Sequence, residues 1–89
     1  MTQFEVLSLK KVNKQISRLH PLDKNKALDF FKKLTVSPFP QNIDIVKMSG
    51  TKDTYRAKLG KLRVIYSVIS EKKQIVVVRV RYRKNSYRN

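Results

Sequence analysis

The stretch Thr54-Tyr-Arg-Ala-Lys-Leu-Gly-Lys-Leu-Arg-Val-Ile-Tyr66 decides how the chain is read. Two runs of strand-forming residues flank Gly60-Lys61, and a two-residue turn with glycine first is the type II′ solution for a hairpin. That turn sets the pairs: Leu59 opposite Leu62, Lys58 opposite Arg63, Ala57 opposite Val64 and Tyr55 opposite Tyr66. Successive strand residues point to opposite faces. Tyr55, Ala57, Leu59, Leu62, Val64, Tyr66 and Val68 therefore form one apolar face, and Arg56, Lys58 and Arg63 begin the other. A slip of one residue would drive those charges into the core, so the register is well determined. Like charges facing each other across strands destabilise the pair, so this cationic face serves something other than the fold.

Downstream, Gln74–Arg81 predicts a further strand, in which Arg79, Arg81 and Arg83 alternate with Val78, Val80 and Tyr82. With Val76, Val78 and Val80 on the apolar face, the arginines line up beside Lys58 and Arg63. This parity needs an odd-length loop or a bulge near residues 70–73. The opposite parity would bury three unpaired arginines, at far greater cost. Upstream, Ile43–Met48 predicts a strand, closed by the turn residues Ser49 to Asp53.

The first half of the chain changes period. Thr2 to Leu7 alternates weakly, with Phe4 and Val6 on one face, and predicts a short strand. Ser8 is placed to cap a helix whose apolar positions are Leu9, Val12, Ile16 and Leu19, ending before Pro21. Asp23 is placed to cap a second, with the stripe Ala27, Leu28, Phe30, Phe31 and Leu34; Pro38 and Pro40 end it. A short His-Pro link suggests an antiparallel helix pair, and the polar tail 84–89 is expected to fray. The expected fold is one α+β domain over 1–89: a short N-terminal strand and two antiparallel helices packed on a small, mainly antiparallel sheet.

Composition narrows the function classes. The 89 residues carry 21 Lys+Arg against 6 Asp+Glu, for a net charge of +15. Residues 46–89 hold thirteen basic and two acidic residues, so +11 of that charge sits in the second half. Such a field raises encounter rates with polyanions, and nucleic acid or an acidic protein is the expected partner. There is no cysteine, hence no disulfide framework, Cys-based zinc site or thiol nucleophile. No apolar run approaches the ~18 residues of a membrane span, and MTQFEVLSLKKV lacks the order of a secretory signal. A cytoplasmic protein without membrane attachment is expected. His20, the single histidine, reads as a loop residue and makes no metal set with the scattered Asp23, Asp29 and Asp44. No metal or other cofactor is implied.

The motif Tyr55-Arg56-x-Lys58-Leu59-Gly60-x-x-Arg63-Val64-Ile65-Tyr66, followed by Val80-x-x-Arg83 and Tyr87, resembles the RelE/ParE superfamily of toxins from toxin–antitoxin systems. So does the order strand, two helices, basic antiparallel sheet. RelE-type members, the resemblance implies, are endoribonucleases that cut mRNA in the ribosomal A site, using basic residues on this sheet and a C-terminal tyrosine. Carried over, these are Arg56, Lys58, Arg63, Arg83 and Tyr87. Lys61, Arg79, Arg81, Tyr82 and Lys84, around them, are expected to bind RNA. The implied partners are an acidic cognate antitoxin, the ribosome and mRNA. Two positions depart from the family's usual pattern: Leu62 replaces a frequent aromatic, and Arg81-Tyr82 replaces a frequent Gly-His or Gly-Lys.

Metal-independent RNA cleavage requires an activated 2′-hydroxyl, charge stabilisation at phosphorus and protonation of the leaving 5′-oxygen. Guanidinium forks match phosphate oxygens and stay charged, which suits Arg63 and Arg83 to stabilising the transition state. Lys58, set among arginines with no acid expected nearby, is the candidate for proton transfer. Tyr87 is suited to stacking on a base. ParE-type members share the fold but poison DNA gyrase, and a plain RNA-binding module would have the same composition. Lys10, Lys11, Lys14, Lys32 and Lys33 read as a solvated face.

Overall fold

The computed structural model describes residues 3–83. Within them, five strands and two α-helices follow one another as β1 (Glu5–Ser8), α1 (Lys10–Ser17), α2 (Pro21–Val36), β2 (Asp44–Lys47), β3 (Thr54–Leu59), β4 (Leu62–Ile69) and β5 (Gln74–Tyr82), with a single 3₁₀ turn at Ser70–Lys72. The strands form one sheet in the order β1-β5-β4-β3-β2. β1 runs parallel to β5, and the other three pairings are antiparallel. This is the expected α+β architecture.

The β3–β4 hairpin has the register its turn dictates, including Leu59 with Leu62, Lys58 with Arg63 and Tyr55 with Tyr66. Gly60 takes φ 63°, the left-handed value that a II′ turn demands of its first central residue and that glycine adopts without penalty. Both helices cover the apolar face. Val12 of the first helix, Leu19 of the link that follows it, and Ala27, Phe30 and Leu34 of the second share a core with Ala57, Leu62, Val64, Tyr66, Val68, Ile75, Val77 and Val80. Phe30 meets the Tyr66 ring edge-on at 5.9 Å, and the Tyr66 hydroxyl donates to the Pro38 carbonyl at 2.6 Å. That bond leaves no orphaned hydroxyl in the core.

Several local expectations give way to packing. Ser8 ends β1 and hydrogen-bonds Asn13 Oδ1; Leu9, 41 % exposed, stands at the N-cap of α1 and lies outside the helix. Asp23 is not the cap of α2, because Pro21 already occupies the first helical turn and His20 precedes it. A proline there forfeits no hydrogen bond and has a preset φ. Asp23 instead accepts a 2.8 Å bond from the Tyr82 hydroxyl, which in turn accepts the His20 N–H at 3.0 Å. The start of the helix is thereby clasped by the end of the sheet. Leu28 is exposed, so the buried stripe of α2 is narrower than predicted.

The parity of β5 is the larger correction. The register shifts between Ile65 and Tyr66: Ile65 faces Arg79, whereas Tyr66 faces Val77. Val78 is the extra residue of a bulge inside the β4–β5 ladder. The core side of β5 therefore consists of Ile75, Val77, Val80 and Tyr82, in place of the expected Val76, Val78 and Val80. A bulge adds one residue to one strand and re-aims the side chains beyond it. This one keeps both Ile75 and Val80 inside while turning Arg79 and Arg81 out. Beyond the end of β1, the Val80 N–H donates to Gln15 Oε1 of α1 at 2.7 Å, which closes part of an open sheet edge.

Candidate nucleic-acid interface

The sheet face opposite the helices is uncovered among the described residues, and the registers lay it out in rows. At the hairpin end, Asp44, Lys58, Arg63 and Arg81 stand side by side across β2, β3, β4 and β5. The next row is Val46, Arg56, Ile65 and Arg79. The third is Thr54, Ser67, Val76 and Leu7. Cationic charge is thus concentrated in two rows at one end, while the third row is neutral. Arg56, Lys58, Arg63, Arg79 and Arg81 all stand on this face, as the hairpin and bulge parities require.

Each cation is held differently. The Arg63 guanidinium donates through Nη1 to the Gly60 carbonyl at 2.7 Å and to the Leu62 carbonyl at 3.0 Å. It is fastened to its own turn, which presets its direction before any phosphate arrives. Arg56 and Arg81 each have a buried Nε without a hydrogen-bond partner among the described residues. A donor left in that condition costs free energy, about 1–3 kcal/mol for a typical buried group. Arg79 is exposed. Between Arg56 and Arg79, Ile65 is only 8 % exposed although it lies outside the helix-covered core. Arginine stems can shelter apolar surface while their charged heads stay in water, and the register puts two such stems beside it.

Lys58 departs from expectation. Its neighbour across β2–β3 is an acid: Asp44 Oδ2 lies 3.6 Å from Lys58 Nζ. The cationic cluster therefore contains one carboxylate, which strand alternation from Ile43 and Ile45 puts outward but which only the β2–β3 register puts opposite Lys58.

The remaining candidates separate. Lys61 is exposed in the turn, and its carbonyl accepts the Arg83 N–H at 2.8 Å, which brings Arg83 to the hairpin end of the sheet. Tyr82 lies on the helix side, opposite in register to Leu62, and its hydroxyl clasps α2. It shares a groove with His20, Asp23, Lys26 and Arg83, not the face of Arg79 and Arg81. Lys84, Tyr87 and the tail expected to fray lie outside the described residues. Among the described residues no group of three or more His, Cys, Asp or Glu could hold a metal ion. No helix among them is long and apolar enough to cross a membrane.

Chemically, the face offers a cluster of cations, most of them arginines, whose forked guanidinium groups can take phosphate oxygens in pairs. Its neutral third row carries hydroxyls and apolar groups, with Thr54 Oγ1 and Ser67 Oγ 2.9 Å apart.

Comparison with known proteins gives this arrangement relatives. Residues 7–87 match the family model described as the ParE toxin of the type II toxin–antitoxin system parDE. The chain is 30 % identical over 88 residues to a candidate toxin, RelE1, of Methanocaldococcus jannaschii, covering 98 % of each. In three dimensions it resembles the toxin of an archaeal RelE–RelB complex from Pyrococcus horikoshii, at TM-score 0.84 and 33 % identity over 96 % of this chain and all of that one. The fold also matches the toxin of the intact Escherichia coli RelBE complex, at TM-score 0.76 and 22 % identity, covering 91 % of this chain and 98 % of that one.

Proposed function

Because the chain belongs to the RelE/ParE family and is a RelE-type toxin of a toxin–antitoxin system, we propose that it is a ribosome-dependent endoribonuclease that cuts mRNA in the A site and so stops translation. The observation that carries this reading is the uncovered pair of rows holding Arg56, Lys58, Arg63, Arg79 and Arg81 on one face. A fold gains nothing from such a face, and single-stranded RNA neutralises it. The 2′-oxygen attacks the adjacent phosphorus, the bond to the 5′-oxygen breaks, and the products are a 2′,3′-cyclic phosphate and a 5′-hydroxyl. Arg63, preset by its turn, Arg81 opposite it in register and Arg83 at the hairpin end stabilise the charge that grows on the non-bridging oxygens. Arg56, Arg79, Lys61 and Lys84 hold flanking phosphates. Tyr87 stacks on a neighbouring base. The reaction runs without a metal or other cofactor, and the ribosome supplies the alignment of the 2′-oxygen with the phosphate, an orientation effect.

Two partners belong to this reading. Solved relatives are complexes of RelE with RelB, and a +15 domain with exposed Leu7, Leu9 and Val46 suits an acidic antitoxin. The site of action is the cytoplasm, where ribosomes translate. The test is primer extension on an actively translated mRNA in a cell-free extract. Breaks at ribosome-occupied codons are expected, absent on naked RNA and in Arg63→Ala and Arg83→Ala. Undiminished cleavage by both variants would end the proposal. A gyrase-directed, non-catalytic toxin is the second reading, favoured by the ParE description of the matching family model; its mark is inhibition of supercoiling with mRNA left intact.

A further inference from the structure

We propose that Asp44 is the general base of the open face, taking the proton from the attacking 2′-hydroxyl, with Lys58 as its proton-donating partner. The assignment rests on the ribonuclease reading above. It begins from a deficit in the cationic rows. Arginine never gives up its proton in a protein, so Arg56, Arg63, Arg79 and Arg81 can stabilise charge but cannot accept a proton. Of the described residues in the rows of this face, two are carboxylates. Glu5 lies at the far edge, where its Oε1 accepts a 3.1 Å bond from Gln74. Asp44 lies in the row of Lys58, Arg63 and Arg81.

The geometry of the pair suits the task. Asp44 and Lys58 side chains are 60 % and 41 % exposed, so substrate reaches both. Their charged atoms stand 3.6 Å apart. The step balances. The 2′-hydroxyl proton passes to the Asp44 carboxylate as the 2′-oxygen bonds to phosphorus. The bond from phosphorus to the 5′-oxygen breaks with its electron pair on that oxygen, which takes a proton from the Lys58 ammonium. Transfer of a proton from the Asp44 carboxylic acid to the Lys58 amine then restores the starting pair.

A carboxylate in a polyanion-binding face otherwise has an opposite signature. If Asp44 only carries charge, its removal strengthens RNA binding and leaves cleavage equal or faster. The experiment is single-turnover cleavage of a short mRNA on stalled ribosomes by the full chain. Asp44→Asn is expected to bind the programmed ribosome as tightly as the parent or more so, and to cut about 10²–10⁴-fold more slowly, the range of general acid–base catalysis. Asp44→Glu is expected to recover part of the rate. An mRNA whose scissile 5′-oxygen is replaced by sulfur, a leaving group that needs no acid, separates the two roles: it rescues Lys58→Met and does not rescue Asp44→Asn. Rescue of Asp44→Asn by sulfur would overturn the assignment, because Asp44 would then act only by orienting Lys58. So would parent-like cleavage by Asp44→Asn. Absence of cleavage by the parent chain would remove the ribonuclease reading itself, and this assignment with it.

Discussion

The two faces of one sheet divide the molecule's physics. On the helix side, Phe30, Leu34, Leu62, Val64, Tyr66 and Ile75 are all buried, and burial of such side chains contributes roughly 1.5–3 kcal/mol each relative to exposure. On the open side, Arg56, Lys58, Arg63, Arg79 and Arg81 share two rows with a single acid in contact among the described residues. Self-repulsion there opposes the compact state, and one exposed ion pair returns about 0–1 kcal/mol. The lesson is a separation of duties: the buried face holds the fold together and thereby tolerates a face kept for a polyanion.

The largest effect that could break this comparison is on the helix side. Phe30→Ala should cost about 3–5 kcal/mol in urea unfolding, a large share of the 5–15 kcal/mol a domain possesses. Any loss of toxicity should then track the unfolded fraction. If the variant lost cleavage while remaining folded, the two faces would not be separable.

Next in size, Arg81→Ala should slow mRNA cleavage by about 10²–10³-fold, the effect of removing one donor to a developing oxyanion. Its unfolding midpoint should hold or rise, since a cation with an unpartnered buried Nε is removed. A drop in stability comparable to that of Phe30→Ala would mean that the open face also supports the fold.

A third prediction concerns pH. Burial, and then the neighbouring Tyr55, pushes the Tyr66 phenol well above its ordinary 10.0. Below pH 10 the phenol is protonated whether the chain is folded or unfolded, and it adds no pH dependence. Above that value the unfolded chain loses the proton while the folded chain retains it, so stability falls as pH rises, by up to about 1.4 kcal/mol per unit. The fall continues until the folded phenol also titrates. Tyr66→Phe should lose the Pro38 bond at neutral pH but show a shallower alkaline slope, read from unfolding curves at pH 9 to 11.

The smallest effect sharpens the boundary between the faces. Tyr82→Phe removes the clasp on His20 and Asp23 and should cost about 1 kcal/mol with mRNA cleavage per folded molecule unchanged. A selective loss of cleavage would return Tyr82 to the RNA side despite its position.

What could be read without a structure was local. Gly60-Lys61 and a two-residue period determined the β3–β4 register, the apolar face from Tyr55 to Val68, and the outward placement of Arg56, Lys58 and Arg63, because turn chemistry and alternation act over a few residues. The outward arginines of β5 were legible only as a requirement, that charge stay out of the core. How the requirement is met lay in the tertiary structure: a bulge at Val78 places Ile75 and Val77 inside, where loop arithmetic would have placed Val76 and Val78. The same holds for Tyr82, whose hydroxyl finds partners some sixty positions away in sequence, and for Asp44, which meets Lys58 only once β2 is in register with β3. Periodicity tells each strand which side chains face out. Which of them become neighbours is decided when separate strands pair, and that choice belongs to the packing of the whole core.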